Sequence, residues 1–159
     1  MSSEPTYDLA MEHLEECIKA LHMNAVAIVD EHWAQILEHE NKARSWQEKS
    51  QLQLACHRKG NNIQIKWIGT KWYGKASSRR SVRTNIARGA GELTYSMAKL
   101  REWTRDWEAP IVEETERKLT SIRRQAQHVV KAIMALRHAK LVAAKHPIDS
   151  DSTEPTEEA

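Results

Sequence analysis

Along the first third of the chain, apolar positions at Leu14, Ile18, Leu21, Ala25 and Ile28 recur at steps of four and three. That spacing puts one stripe of a helix against a partner, as in a coiled-coil seam. The stripe then drifts through Trp33, Ile36 and Leu37 to Trp46, and no Pro or Gly interrupts the chain between Thr6 and Lys59. A long first helix is therefore predicted, with Thr6 or Asp8 as its N-cap. Unbroken to Lys59 it would be a rod of roughly 75 Å; a break near residues 41–45 is the compact alternative.

Gly60-Asn61-Asn62 stops the helical pattern, because Gly and Asn tolerate the left-handed conformation that closes a helix. Beyond it the period changes to two. Ile63, Ile65 and Trp67 alternate with Gln64, Lys66 and Ile68, and Gly69-Thr70 leads into Lys71-Trp72-Tyr73. This predicts a short β-hairpin over about 61–75, turning at Gly69-Thr70, with one face packed on helices or a partner. Ser77 or Ser78 then caps a second helical half, in which Ile86, Ala90, Leu93, Met97, Leu100 and Trp107 fall at or near heptad positions. Gly89 and Gly91 weaken that helix by about 1 kcal/mol each relative to Ala. Pro110 suits the first turn of a new segment, whose seam is Leu119, Ile122, Ala126, Val129, Ile133 and Leu136, ending at Lys145-His146-Pro147.

The predicted architecture is mainly α: a long antiparallel helical hairpin or bundle, with the short basic β-hairpin inserted between its two helical halves. Residues 1–5 read as a flexible N-terminus, 6–147 as one helical domain, and 148–159 as an acidic disordered tail. Two thin helices bury little surface, so the seams imply folding back into a bundle or assembly as a homo-oligomer. No apolar run approaches the roughly 20 residues of a membrane helix, and the first residues lack the basic and apolar regions of a secretory signal. A cytoplasmic protein with no membrane partner is expected. Cys17 and Cys56 lack CxxC spacing and read as reduced structural thiols.

Charge changes the picture more than composition does. The net charge of +2 hides a polarised chain: between Glu48 and Glu92 there is no acidic residue but ten basic ones, Lys49, Arg58, Lys59, Lys66, Lys71, Lys75, Arg79, Arg80, Arg83 and Arg88. The rest of the chain carries 14 Lys and Arg against 22 Asp and Glu, a net of −8. Nucleic-acid binding needs cations for phosphates, a rigid element to enter a groove, and aromatic or Arg side chains for bases. All three coincide in this window, and the candidate interface is Arg58, Lys59, Lys66, Lys71, Trp72, Tyr73, Lys75, Ser77, Arg79, Arg80, Arg83 and Arg88. The competing reading is a docking patch for an acidic protein, or a solvated face. Trp67, Trp72 and Tyr73 can stack on bases, but Trp67 and Trp72 read rather as a small core that anchors the ribbon to the helices. Trp33, Trp46, Trp103 and Trp107 read as core or oligomer contacts.

The remaining chemistry is thin. His32 and His39, beside Glu31 and Glu38, form neither an HExxH pair nor a Cys/His quartet, so no metal site is expected. There is no P-loop and no GxSxG, the basic window holds no carboxylate for a nuclease magnesium, and no His cluster accompanies Tyr73 or Tyr95. A non-enzymatic protein without cofactor is expected.

The run KWIGTKWYGKASSRRSVRTNIARG, followed by GELTYSMAKLREW, resembles the MobI-type auxiliary mobilisation proteins of conjugative plasmids and integrative conjugative elements, over roughly Trp46 to Leu136. The resemblance implies a small DNA-binding accessory of the relaxosome that recognises double-stranded DNA at the origin of transfer and assists a separate relaxase. The alternative function is a coiled-coil scaffold or adaptor whose basic segment docks an acidic protein.

Overall fold

Helix α1 spans Glu4–Asn41, and its buried side chains Ile18, Leu21, Ala25, Val29, His32 and Ile36 follow steps of three and four. The structure is a computed structural model that describes residues 4–43, 45–89 and 91–148. After a short 3-10 turn at Trp46–Glu48 come strands β1 (Leu52–Lys59), β2 (Asn62–Tyr73) and β3 (Arg80–Asn85), then helices α2 (Met97–Arg101) and α3 (Ala109–Lys145). The strands form one antiparallel sheet in the order β1-β2-β3.

The expected mainly α hairpin or bundle is therefore wrong. The chain is α+β, a helix followed by a three-stranded sheet and then helices. Three local readings produced the error. Leu52–Lys59 contains good helix formers, but Leu52, Leu54 and Cys56 alternate with Gln53, Ala55 and His57, and they lie opposite Gly69, Trp67 and Ile65 of β2. Arg80–Asn85, read as the start of a helix, pairs along the far side of β2 instead. Gly69-Thr70 is no turn, since β2 runs through it; the turns are Gly60-Asn61, where Gly60 has φ +59°, and residues 74–79. Gly first in a two-residue connection suits the twist of a β-hairpin.

α1 breaks at Asn41, as in the compact alternative, and begins before Thr6 and Asp8, so neither is its cap. Asp8 instead accepts from Lys140 Nζ at 2.7 Å. Together with Lys118–Glu31 at 3.7 Å, this pairs the start of α1 with the end of α3 and the end of α1 with the start of α3, so the helices run antiparallel. Pro110 lies in the first turn of α3, as its fixed φ favours. The tail reading covers 148–159, of which all but Ile148 lies outside the described residues.

One face of the sheet closes the core. Leu52, Leu54, Ile65 and Trp67 pack with Ile18, Leu21, Ala25, Leu100, Val112, Leu119 and Ile122. Beneath them lies a buried polar cluster that joins sheet to helix. Glu116 Oε1 accepts from Trp67 Nε1 at 3.1 Å, and its Oε2 accepts from the Tyr95 N–H and from Arg123 Nη1, both at 3.0 Å. Arg123 Nη2 also lies 2.8 Å from Glu116 Oε1, off the hydrogen-bonding direction, and Nη1 donates to Leu93 O at 3.0 Å. Among the described residues no helix is long and apolar enough to cross a membrane.

Candidate nucleic-acid interface

Beyond Thr70, β2 loses β1 as a neighbour and continues with β3 alone as a two-stranded ribbon. Every residue of that ribbon and its loop, from Lys71 to Asn85, is exposed. Trp72 and Tyr73 are 53% and 56% exposed, which removes Trp72 from the core while Trp67 stays in it. The loop is closed by a Ser78 N–H donating to Lys75 O at 2.9 Å. Gly74 has φ +95°, and a Cβ there would stand 2.8 Å from Ser78 O, so the tip turn requires glycine.

The ribbon gathers Lys71, Trp72, Tyr73, Lys75, Ser77, Arg79, Arg80 and Arg83, eight of the twelve candidate residues. The other four are elsewhere. Arg58 and Lys59 flank the Gly60-Asn61 turn at the opposite end of the sheet, about 30 Å from Lys71 at about 3.3 Å per residue. There Arg58 Nε donates to Gly60 O at 2.8 Å. Lys66 lies midway along β2, exposed. Arg88 follows β3, half-buried, with its guanidinium 5.8 Å from the centre of the Tyr95 ring.

Strand pairing also divides the cations by face. Directly paired residues share a face, so Lys59, Lys66, Trp72 and Arg83 lie on the side away from the helices, while Arg58, Lys71 and Arg80 lie on the helix side. Lys71 is held there by Trp103, its Nζ 4.8 Å from the ring centre. Among the described residues no carboxylate forms an ion pair with Lys59, Lys66, Lys75, Arg80 or Arg83. The outer face and tip thus present unneutralised cations beside an exposed indole, on a backbone fixed by ladder hydrogen bonds.

At the root of the ribbon is a cavity of about 420 Å³ that sequence reasoning missed. It is lined by Thr70 and Trp72 of β2, Lys49, Ser50, Gln51 and Gln53 at the entry to β1, Arg79 of the loop, Glu40 of α1, and Arg105. Arg105 lies outside the basic window, so no charge count joins it to the ribbon; its Nε donates to Lys49 O at 3.1 Å. Glu108 holds the same corner, its buried Oε1 accepting from the Arg105 N–H at 2.7 Å, and burial pushes its carboxyl above the usual range.

His32, Trp33 and the His39–Trp107 pair make structural contacts. His32 is buried edge-on to Trp67, with Nδ1 3.0 Å from Thr115 Oγ1, and burial lowers its pKa to about 4. Trp33 packs against the core, and Trp107 stacks on His39 and donates to Glu48 O at 2.7 Å. Nothing is described of the Trp46 side chain. No His, Cys, Asp and Glu group suited to a metal ion occurs among the described residues.

A family model described as MobI protein matches residues 21–137, which include the sheet, the ribbon and most of both long helices. Neither the curated proteins nor the solved structures contain a match to this chain.

Proposed function

The chain belongs to the MobI family, which implies a role in plasmid mobilisation and conjugation, and from that premise we propose that it is a non-catalytic DNA-binding accessory acting at the origin of transfer. In this reading the duplex lies along the outer face of the three-stranded sheet and over the tip of the β2–β3 ribbon. Lys59, Lys66, Lys75, Arg79 and Arg83 meet phosphates, and Arg80 grips the backbone from the other edge. The protein presents the bound origin to the relaxase in the cytoplasm, and the nicking chemistry belongs to that partner.

The observation that carries the reading is the ribbon itself: a β-hairpin exposed at every position, with five Lys and Arg and no carboxylate over residues 71–85. A two-stranded ribbon is narrow enough for a DNA groove, and cations on both edges reach the flanking phosphates. Shape and charge agree here.

The test is binding of the purified chain to an origin-of-transfer duplex and to a scrambled duplex of equal length. Tighter binding to the origin sequence, weakening steeply with salt, is expected. Equal and weak binding to both, together with capture of an acidic protein through the same ribbon, would favour the scaffold function instead.

A further inference from the structure

The cavity at the ribbon root has the composition of a site rather than of a crevice. Its volume of about 420 Å³ falls in the roughly 300–1,000 Å³ range of small-molecule pockets. One wall is Trp72, an aromatic surface fixed in a strand. Three cations, Lys49, Arg79 and Arg105, line it against the single carboxylate of Glu40, whose Oε1 already accepts from the Ser50 N–H at 2.9 Å.

The second observation is independent of charge. Thr70 is 6% exposed, and its hydroxyl has no hydrogen-bond partner among the described residues. Its backbone N–H is satisfied by Gln51 O at 2.7 Å, so only the side chain is left unpaired. A buried hydroxyl without a partner is unfavourable, and such groups are rare unless a ligand or water completes them. Thr70 and Trp72 are two residues apart on one strand and so share a face; the register sets Arg83 directly across from Thr70 on that face.

We propose that this cavity holds one unstacked nucleotide of the bound DNA, its base against Trp72, its edge toward Thr70 and Gln53, and its phosphate toward Lys49, Arg79 and Arg105. The proposal rests on the DNA-binding reading above and narrows the ligand to a strand with an unpaired base. A paired base has its hydrogen-bonding edge occupied and its faces covered, so only a bulged, gapped or extruded nucleotide can reach an indole face and a buried hydroxyl together. The same chemistry occurs in a free mononucleotide, and the experiment separates the two.

The experiment measures binding of the full chain to a fully paired duplex, to the same duplex with one bulged adenosine, and to deoxyadenosine monophosphate. The bulged duplex is expected to bind on the order of 10-fold more tightly than the paired one, the scale of one base stacked on an aromatic side chain. Trp72→Leu should abolish that ratio. Thr70→Val should reduce it severalfold while leaving paired-duplex affinity within about 2-fold and the melting temperature unchanged or higher, because the valine removes an unpaired hydroxyl. Equal binding of paired and bulged duplexes by the unmodified chain overturns the pocket assignment and leaves the DNA-binding reading standing. Failure to bind any DNA at low salt overturns both. If the mononucleotide alone quenches tryptophan emission in a Thr70-dependent way and the bulge confers no advantage, the ligand is a free nucleotide and the strand-borne assignment is wrong.

Discussion

Gly69 lies beneath the ring of Trp103, and a Cβ added there would overlap the indole carbons. In the sequence, glycine beside threonine between two apolar runs reads as a turn; the folded chain uses it as a seat for an aromatic ring in mid-strand. That use depends on Trp103, 34 positions away, so local pattern cannot reveal it. Gly69→Ala should destabilise the fold by about 1–3 kcal/mol, the usual cost of overpacking, and should free Lys71 from its ring; denaturant titration and tryptophan emission check both. His32 gives a second residue-scale expectation. Burial lowers its pKa to about 4 from an ordinary 6.5, so the unfolded chain binds the proton first. The stability tied to its neutral form is present above pH 6.5 and is lost as the pH falls toward 4, by about 3 kcal/mol. His32→Gln should flatten the stability profile in that window, as read by thermal unfolding at stepped pH.

Among the elements, the long helices were the more legible, because their seams repeat over many turns. Ile18, Leu21 and Ala25 on α1, and Leu119, Ile122, Ala126 and Ile133 on α3, are buried as their spacing implies. Charge reinforces the pairing: α1 carries nine carboxylates and one lysine, and α3 eight Lys and Arg against three Glu. The strands were half legible. The alternation of β2 is plain, but β1 and β3 are strands only because β2 is long enough to pair with both, a tertiary fact that overrides the propensity of Leu, Gln, Ala and Arg. What fixes the sheet to the helices is equally non-local. Glu116 and Arg123 sit seven apart on α3 like any surface pair, yet both are buried and bind Trp67, Tyr95 N–H and Leu93 O. Glu116→Ala leaves the Arg123 guanidinium buried and uncompensated, and should cost about 3–5 kcal/mol. Chemical unfolding gives the value; a loss below 1 kcal/mol would mean that this cluster does not anchor the sheet.

At the scale of the whole molecule, the absence of carboxylates between Glu48 and Glu92 acquires a shape. The basic window is not a helical tip but a sheet, and it divides into an outer face with Lys59, Lys66 and Arg83, a helix-side face with Arg58, Lys71 and Arg80, a tip loop with Lys75 and Arg79, Lys49 ahead of β1, and a half-buried Arg88. The sequence located the window; only the pairing register assigns its faces, since a one-residue shift would exchange them. The rest of the chain is not uniformly acidic either, because α3 is basic and the negative charge lies mainly on α1 and beyond residue 148.

The ribbon's cations as the polyanion contact are tested most directly by the salt dependence of duplex binding. Five to seven phosphate contacts predict a slope of about −4.5 to −6 in log affinity against log salt, and replacing Lys75, Arg80 and Arg83 by Ala should make it shallower by about 2.7. A slope unchanged by those three replacements, with the fold intact by circular dichroism, would contradict the assignment of the DNA contact to this ribbon.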